Sequence, residues 1–532
     1  MNKIKYAFLG IVAVAFAGCA DLDYNEASNR DEDWTYNSPL NGVKALVYDV
    51  YAQMPSEFKD NSYGNGAMIA SATDESEFAL SFSPIHKYFN GGWTPSNPFS
   101  ITWDRSYRAI TQVHMYLERI HKIDLSDYEY DPDYQTMVQQ FEIFPYELRF
   151  LRAYFYFELV RAYGDVPLVT TTLTNEQANS VERTPAKDVF RFIINELDAV
   201  AEYLPVSYND IPGQEIGRAT RGAALALKAR VLLYQASPLF NTDNSKELWK
   251  EAAAASKVII DNAQRWGYKL SEYANLWGHD TFTNPEFIFV LGTQASNTFE
   301  QYNYPVGVEN GNSGNCPTQA LVDAYEYQFD GKTFKEKHPG DVDVTAENPY
   351  DGLDPRFALT VVKNGDLWPS NTAQQIAIET YQNGFNGAPK YGATPTGYYL
   401  KKFVDGNCIT TANNQTTTRH NWIVMRLAEV YLNYAEAMYN YYGNADEPGD
   451  FGMSANEAVN VLRNRPDIMM PEFQGNNGFE ERYMRERMVE LAFEGQRFWD
   501  VRRWKKGAEF FKNVDVADFK LLSLIHISEP TR

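Results

Sequence analysis

The chain has 532 residues, with 70 Asp or Glu against 48 Lys or Arg and a formal net charge of −22 when histidine is neutral. That length buries a large core and allows two or more domains, and the charge argues against nucleic acid or an anionic membrane surface as a partner. Aromatic residues make up 15%, as 36 Tyr, 32 Phe and 10 Trp. Rings in this number serve packing between helices, or the binding of flat, hydroxyl-rich ligands, to which Tyr and Trp offer an apolar face and a polar handle.

Lys3 and Lys5 form a short basic region, and residues 6–16 are an apolar run followed by Ala17-Gly18-Cys19. The run is too short to span a bilayer and suits the core of a signal peptide. Small residues directly before a cysteine resemble a bacterial lipobox, in which Cys19 becomes the lipidated first residue, although Phe16 replaces the usual aliphatic residue three positions earlier. Removing both lysines takes the charge from −22 to −24. Residues 1–18 are thus expected to be a lipoprotein signal peptide and 19–36 a lipidated tether. Asp21, Asp23 and Glu26 in that tether resemble a surface-export signal of bacterial lipoproteins.

In chain order, residues 38–53 are predicted helical, with Val43, Leu46, Val47, Val50 and Tyr51 on one face. A Gly/Ser/Asn-rich aromatic stretch follows over 55–100, then a helix over 101–120 with Ile110, Val113 and Leu117 inward. A further helix is expected from about Pro145 to Tyr163, capped by Gly164 and stopped by Pro167. Helices are also expected over 188–203, with Val189, Ile193 and Leu197 inward, and over Ala-rich 220–235. The next begins at Asn244, with Glu247 placed as in a capping box. From 266 to 421 Gly, Asn, Pro and Thr dominate, and segments such as 286–291 (EFIFVL) read as short strands. Helical pattern returns at about Trp422, with Leu427, Val430, Tyr431, Tyr434, Ala435 and Met438 in one stripe, and again over 454–463. The fold class is mostly α: helix pairs in a tetratricopeptide-like stack, a long loop-rich insertion, and few strands. The last eleven residues, 522–532, read as translated sequencing adapter and are expected to be non-native, with the native ending missing.

Enzyme motifs are absent: there is no HExxH, no GxSxG and no phosphate loop. Asp341, Asp343, Thr345 and Glu347 imitate the opening of a calcium loop, but Ala346 stands where glycine is needed and no bidentate Glu closes it. No metal site and no cofactor are expected. Asp74, Glu75 and Glu77 are the carboxylates that a glycosidase could use, but spacing alone does not pair them across a cleft. Cys316 and Cys408 are compatible with either a disulfide or two free thiols in an exported protein.

The densest mixture of charge and aromatic surface lies at 480–506, EERYMRERMVELAFEGQRFWDVRRWKK. Met484, Met488, Leu491 and Ala492 fall at helical spacing, Glu481/Arg485 and Arg482/Glu486 are i,i+4 pairs, and Gly495 breaks the pattern before Phe498, Val501 and Trp504. Rings and charges alternate too closely for all of them to face water, so several charges are expected to be buried and paired. The string RMVELAFEGQRFWDVRRW resembles the C-terminal signature of the SusD/RagB family of outer-membrane nutrient-binding lipoproteins. LRFLRAYFYFELVRAYGDVPLV (148–169), DPRF (354–357), RLAEVYLNYAEAMY (426–439) and VNVLRNRP (459–466) are similar to other strings of that family, in the same order.

The resemblance implies a single SusD-like domain over 37–521, with a helical scaffold at 37–265 and 422–521 and an irregular ligand-binding region at 266–421. It implies a cell-surface, lipid-anchored outer-membrane protein that binds a glycan and delivers it to a SusC-like TonB-dependent transporter, with no catalytic residue. Sugar binding needs rings for pyranose faces, each contributing on the order of 1–2 kcal/mol, flanked by polar side chains. The candidates are Asp74, Tyr88 and Trp93 in the first loop, then Trp277, Tyr302, Tyr304 and Trp368, with Tyr398 and Tyr399 further on; simple packing is the alternative for each ring. Two other classes stay open: a tetratricopeptide scaffold that binds only proteins, and a glycoside hydrolase.

Overall fold

The computed structural model describes residues 36, 42–58, 66–94, 96, 102–209, 217–277, 283–308, 310–327, 350–369, 375–411 and 413–511, with the backbone of two paired dipeptide strands, Lys520–Leu521 and Pro530–Thr531. Cys19, its acidic neighbours and the 341–347 stretch lie outside them.

The main helices are α1 (Lys44–Ala52), α2 (Thr102–Arg119), α3 (Tyr134–Tyr163), α4 (Ala186–Ala201), α5 (Arg221–Ala236), α6 (Lys246–Asn262), α7 (Leu427–Tyr442), α8 (Ala455–Arg463), α9 (Phe479–Glu490) and α10 (Arg497–Arg503). From α2 to α8 each packs mainly on the next, so the helices form a stack in chain order. The stack continues from α6 directly to α7, across more than 160 residues of intervening chain. Val47, Val50, Ile110, Val113, Val189, Ile193 and Leu197 are buried, as their spacing requires. Thr220 caps α5 by accepting from Ala223 N–H, and Gly164 ends α3 with φ +70°.

Three boundaries differ from expectation. Helix α3 begins at Tyr134 and runs through Pro145. A proline inside a helix costs about 3 kcal/mol, but the added turns bury Met137, Phe141 and Phe144, which offsets it. Asn244 is not a cap: it sits at φ +51°, and Ser245 precedes α6 without a side-chain cap bond. Residues 421–426 are strand rather than helix.

That strand, β8 (Asn421–Arg426), pairs antiparallel with β2 (Phe287–Gly292), Phe287 opposite Arg426 and Gly292 opposite Asn421. The pair closes the base of the insertion, and every residue of β8 is buried, which explains how an apolar WIVM run can read as either element. The remaining strands, β1 (Ser76–Phe78), β3 (Asn315–Pro317), β4 (Val361–Val362), β5 (Leu367–Trp368), β6 (Ile376–Ala377) and β7 (Tyr399–Leu400), form two-stranded pieces only.

The expected burial of charge at 480–506 holds and extends further. Glu490 accepts Arg426 and Arg465 through Oε1, at 2.7 and 2.9 Å, and Arg356 through Oε2 at 2.8 Å. Burial pushes its carboxyl up, but Arg465, Arg426 and Arg356 together hold it well below the usual range. Glu486 does not pair with Arg482; it takes Arg356 and Arg463, at 2.6 and 2.5 Å. Arg426 also reaches Glu286 and Glu494, each at 2.7 Å, while Arg487 and Arg503 share Asp500 at 2.7 and 2.9 Å. The sequence strings 354–357, 426–439, 459–466 and 480–506 therefore meet in one buried ionic lattice that ties the insertion to the last helices. Glu481–Arg485, at 3.2 Å, and Glu480–Lys506, at 3.6 Å, are the exposed exceptions among the described residues.

Candidate functional site

Three loops leave the small sheets side by side. Strand β1 pairs with β3, Ser76 opposite Pro317 and Phe78 opposite Asn315, and Ala79 N–H donates to the Gly314 carbonyl at 2.9 Å. Loop 79–94 thus starts beside loop 301–314. The third loop, 379–393, is joined to the second: Asn386 Nδ2 donates to the Val306 carbonyl at 2.7 Å, and the Ser313 hydroxyl donates to the Gly392 carbonyl. Gly307 has φ +91°, and a Cβ there would lie 2.9 Å from both the Phe385 carbonyl oxygen and Lys390 Nζ, so only glycine fits. A Cβ on Gly392 would meet Leu80 at 3.8 Å and Val306 at 4.0 Å, at the seam of all three loops.

Rings on the first and third loops are exposed. Tyr391 is 80% exposed, Phe82 60%, Phe89 55%, Phe385 54% and Trp93 37%. Tyr88 meets Trp93 edge-on at 4.7 Å between centroids and rests on Phe498 of α10 at 5.3 Å. Lys390 Nζ stands 4.1 Å above the Phe385 ring. Asn90, Gln382, Asn383, Asn310 and Asn312 are exposed on the same three loops. Stacking faces flanked by amide side chains are the chemistry that a pyranose surface needs.

Of the residues expected from sequence, Trp93 and Tyr88 lie in this platform, and Tyr302 is half-buried at its base against Gly66. The structure corrects the expectation for the rest. Asp74 is buried and held by both arms of Arg497, at 2.8 and 2.6 Å, so its carboxylate anchors the first loop to α10. Tyr304 is buried and donates to the Cys408 carbonyl at 2.7 Å, and Trp368 packs edge-on against it at 5.3 Å. Tyr398 is buried, donating to Gln319 Oε1 at 2.8 Å, and Tyr399 is buried in β7. Trp277 is half-buried, with Lys402 Nζ 3.8 Å over its ring. Tyr304, Trp368, Tyr398 and Tyr399 thus have no free face for a ligand, whereas Trp277 keeps part of its surface and Asp74, its carboxylate taken by Arg497, lies at the edge of a cavity. Both cysteines are free thiols, buried in the cluster that holds Tyr304 and Trp368. Among the described residues no group of acids, histidines and cysteines is arranged to hold a metal ion.

Sequence reasoning missed Phe82, Phe89, Phe385 and Tyr391. The signal was present: Phe89-Asn-Gly-Gly-Trp93 and Phe385-Asn-Gly-Ala-Pro-Lys-Tyr391 both set a ring, an Asn-Gly turn and a second ring in sequence, which holds two rings on one exposed loop. Two concavities lie elsewhere. One of about 870 Å³ is lined by Tyr48, Phe58, Arg218 and His420, and one of about 580 Å³ by Asp323, Phe479, Met484 and Arg497. Their charged groups are largely engaged, His420 with Glu300 at 2.8 Å and Arg497 with Asp74.

The SusD family profile matches residues 285–518, and a second, described as starch-binding associating with outer membrane, matches 22–233. The chain belongs to the SusD/RagB family. A SusD-like protein P2 of Formosa agariphila is 25% identical over 96% of this chain and 92% of its own. A SusD-like protein of Bacteroides fragilis NCTC 9343, known as a crystal structure, is 26% identical with a TM-score of 0.73, over 93% of this chain and 91% of its own. A second B. fragilis structure, described as a SusD-like carbohydrate binding protein, has a TM-score of 0.68 at 23% identity, over 89% and 87%. This chain and the two B. fragilis structures share the mostly helical SusD-like fold.

Proposed function

We propose that this protein is a cell-surface lipoprotein that captures a glycan on the platform of loops 79–94, 301–314 and 379–393 and delivers it to a SusC-like TonB-dependent outer-membrane transporter. The observation that carries the reading is the set of outward rings, Trp93, Phe82, Phe89, Phe385 and Tyr391, interleaved with amide side chains on loops anchored to a rigid scaffold. Family membership and the carbohydrate-binding relative support it. In this reading residues 1–18 direct export, Cys19 carries the lipid, and recognition rather than bond cleavage is the task. Paired acyl chains on Cys19 give durable anchoring where one chain would not.

Affinity electrophoresis of the detergent-solubilised protein against a panel of polysaccharides tests it. At least one polymer is expected to retard the protein, with Trp93→Ala and Tyr391→Ala releasing it. Retardation by none, together with no effect of either substitution, would remove the proposal. Delivery is tested by co-purification with a TonB-dependent barrel, and anchoring by loss of membrane association in Cys19→Ala.

A further inference from the structure

The platform is unlike the rest of the molecule in charge. The chain carries 70 acidic residues in 532, a density at which sixteen residues would hold about two. Loop 79–94 holds none and carries Lys87 and His86. Loop 379–393 holds one acid, Glu379, beside Lys390, and loop 301–314 holds one, Glu309. By contrast, residues 124–133 place five exposed acids in ten positions. A chain this acidic has cleared negative charge from the surface where its rings face out.

The cations are also placed. Lys390 is exposed above the Phe385 ring, its Nζ 2.8 Å from the Phe385 carbonyl oxygen. Lys87 lays its stem along Gly92, where a Cβ would meet its Cγ at 3.2 Å, directly before Trp93. The acids at the margin are turned inward or engaged. Glu379 Oε2 accepts the Phe385 N–H at 2.9 Å, and Glu77 is part-buried 3.8 Å from His86 Nδ1. Glu309 lies outside the described residues.

We infer that the ligand is an acidic glycan, bearing carboxylate or sulfate groups, with sugar faces on the rings and the anionic substituents read by Lys390 and Lys87. This rests on the glycan-platform reading and adds the class of sugar. A neutral glycan gains nothing from excluding acids, whereas an anionic one approaching a −22 protein is repelled unless its landing surface is cleared and given cations.

The full chain in detergent is run through gels containing polygalacturonate or a sulfated galactan, each beside its carboxyl-reduced or desulfated counterpart. The charged form of at least one is expected to retard the protein about tenfold more strongly than its neutral partner, with the difference shrinking as salt is raised. Which pair responds separates carboxylate from sulfate. Lys390→Gln and Lys87→Gln lower that retardation and flatten its salt dependence, while Lys390→Arg retains it at an unchanged melting temperature. Equal or stronger binding to neutral glycans, abolished by Trp93→Ala, overturns the acidic preference and leaves the platform standing. No retardation by any glycan overturns both.

Discussion

The last helices and the loop platform use the same side chains, rings and charges in close alternation, and put them to opposite ends. In 480–506 the charges of Glu486, Arg487, Glu490, Glu494, Arg497, Asp500 and Arg503 are buried and every guanidinium of the lattice meets carboxylates; in 79–94 and 379–393 most rings are exposed and carboxylates are almost absent. The difference lies in what each region packs against. Helix α9 is covered by β8, α8 and the 354–357 turn, and α10 by α7 and residues 69–74, so their buried charges leave water together with their partners. The loops have scaffold on one side only. The two regions are joined: Arg497 holds Asp74, and Phe498 supports Tyr88. The buried region therefore sets the position of the exposed one without touching a ligand.

Four outcomes break or sharpen that comparison. Arg426→Met leaves Glu286, Glu490 and Glu494 short of a cation in the core and is expected to cost about 3–5 kcal/mol in urea unfolding; a loss below 1 kcal/mol would show that the lattice is not truly excluded from water. Next comes His114, which is buried in α2, where burial and then the Arg152 guanidinium push it down to about 4. Its folded value is depressed, so the unfolded chain takes up the proton first. The stability that depends on neutral His114 is present above pH 6.5 and is lost as pH falls towards 4, by up to ~3 kcal/mol. His114→Gln should flatten the melting temperature over that window.

On the exposed side, Trp93→Ala is expected to weaken glycan binding roughly tenfold, about 1–2 kcal/mol, with an unchanged melting temperature. A fall in stability instead would move Trp93 into the supporting layer with Tyr304 and Trp368. The smallest effect belongs to Glu481→Ala. Its pair with Arg485 is exposed on the glutamate side, so unfolding free energy should change by about 0.5 kcal/mol or less.

The sequence was informative where one periodicity or one local rule decides the outcome. The stripe Val189, Ile193, Leu197 and the cap at Gly164 each need only near neighbours, and the structure has them in place. The crowding at 480–506 likewise required buried pairing, because its rings and charges share the same faces. The candidate site was legible only as a region. Trp93 and Tyr88 lie on the surface loop, whereas Asp74, Tyr304, Trp368 and Tyr398 are of the right chemistry but are enclosed. Ring type says nothing about which side of a loop a ring occupies.

By itself, then, the sequence determined the helices and the need to bury charge, which follow from spacing along one chain, and its motif strings indicated the family, on which the expectation of a helical stack leaned. Which arginine meets which glutamate was decided by tertiary structure. Arg356, Arg426 and Arg465 converge on Glu490 from segments as far as 134 positions away, and no spacing rule joins them. The platform was decided in the same way. Loops 79–94 and 379–393 share a seam only because β1 pairs with β3 and Asn386 reaches Val306, contacts that form when the insertion closes back on the scaffold.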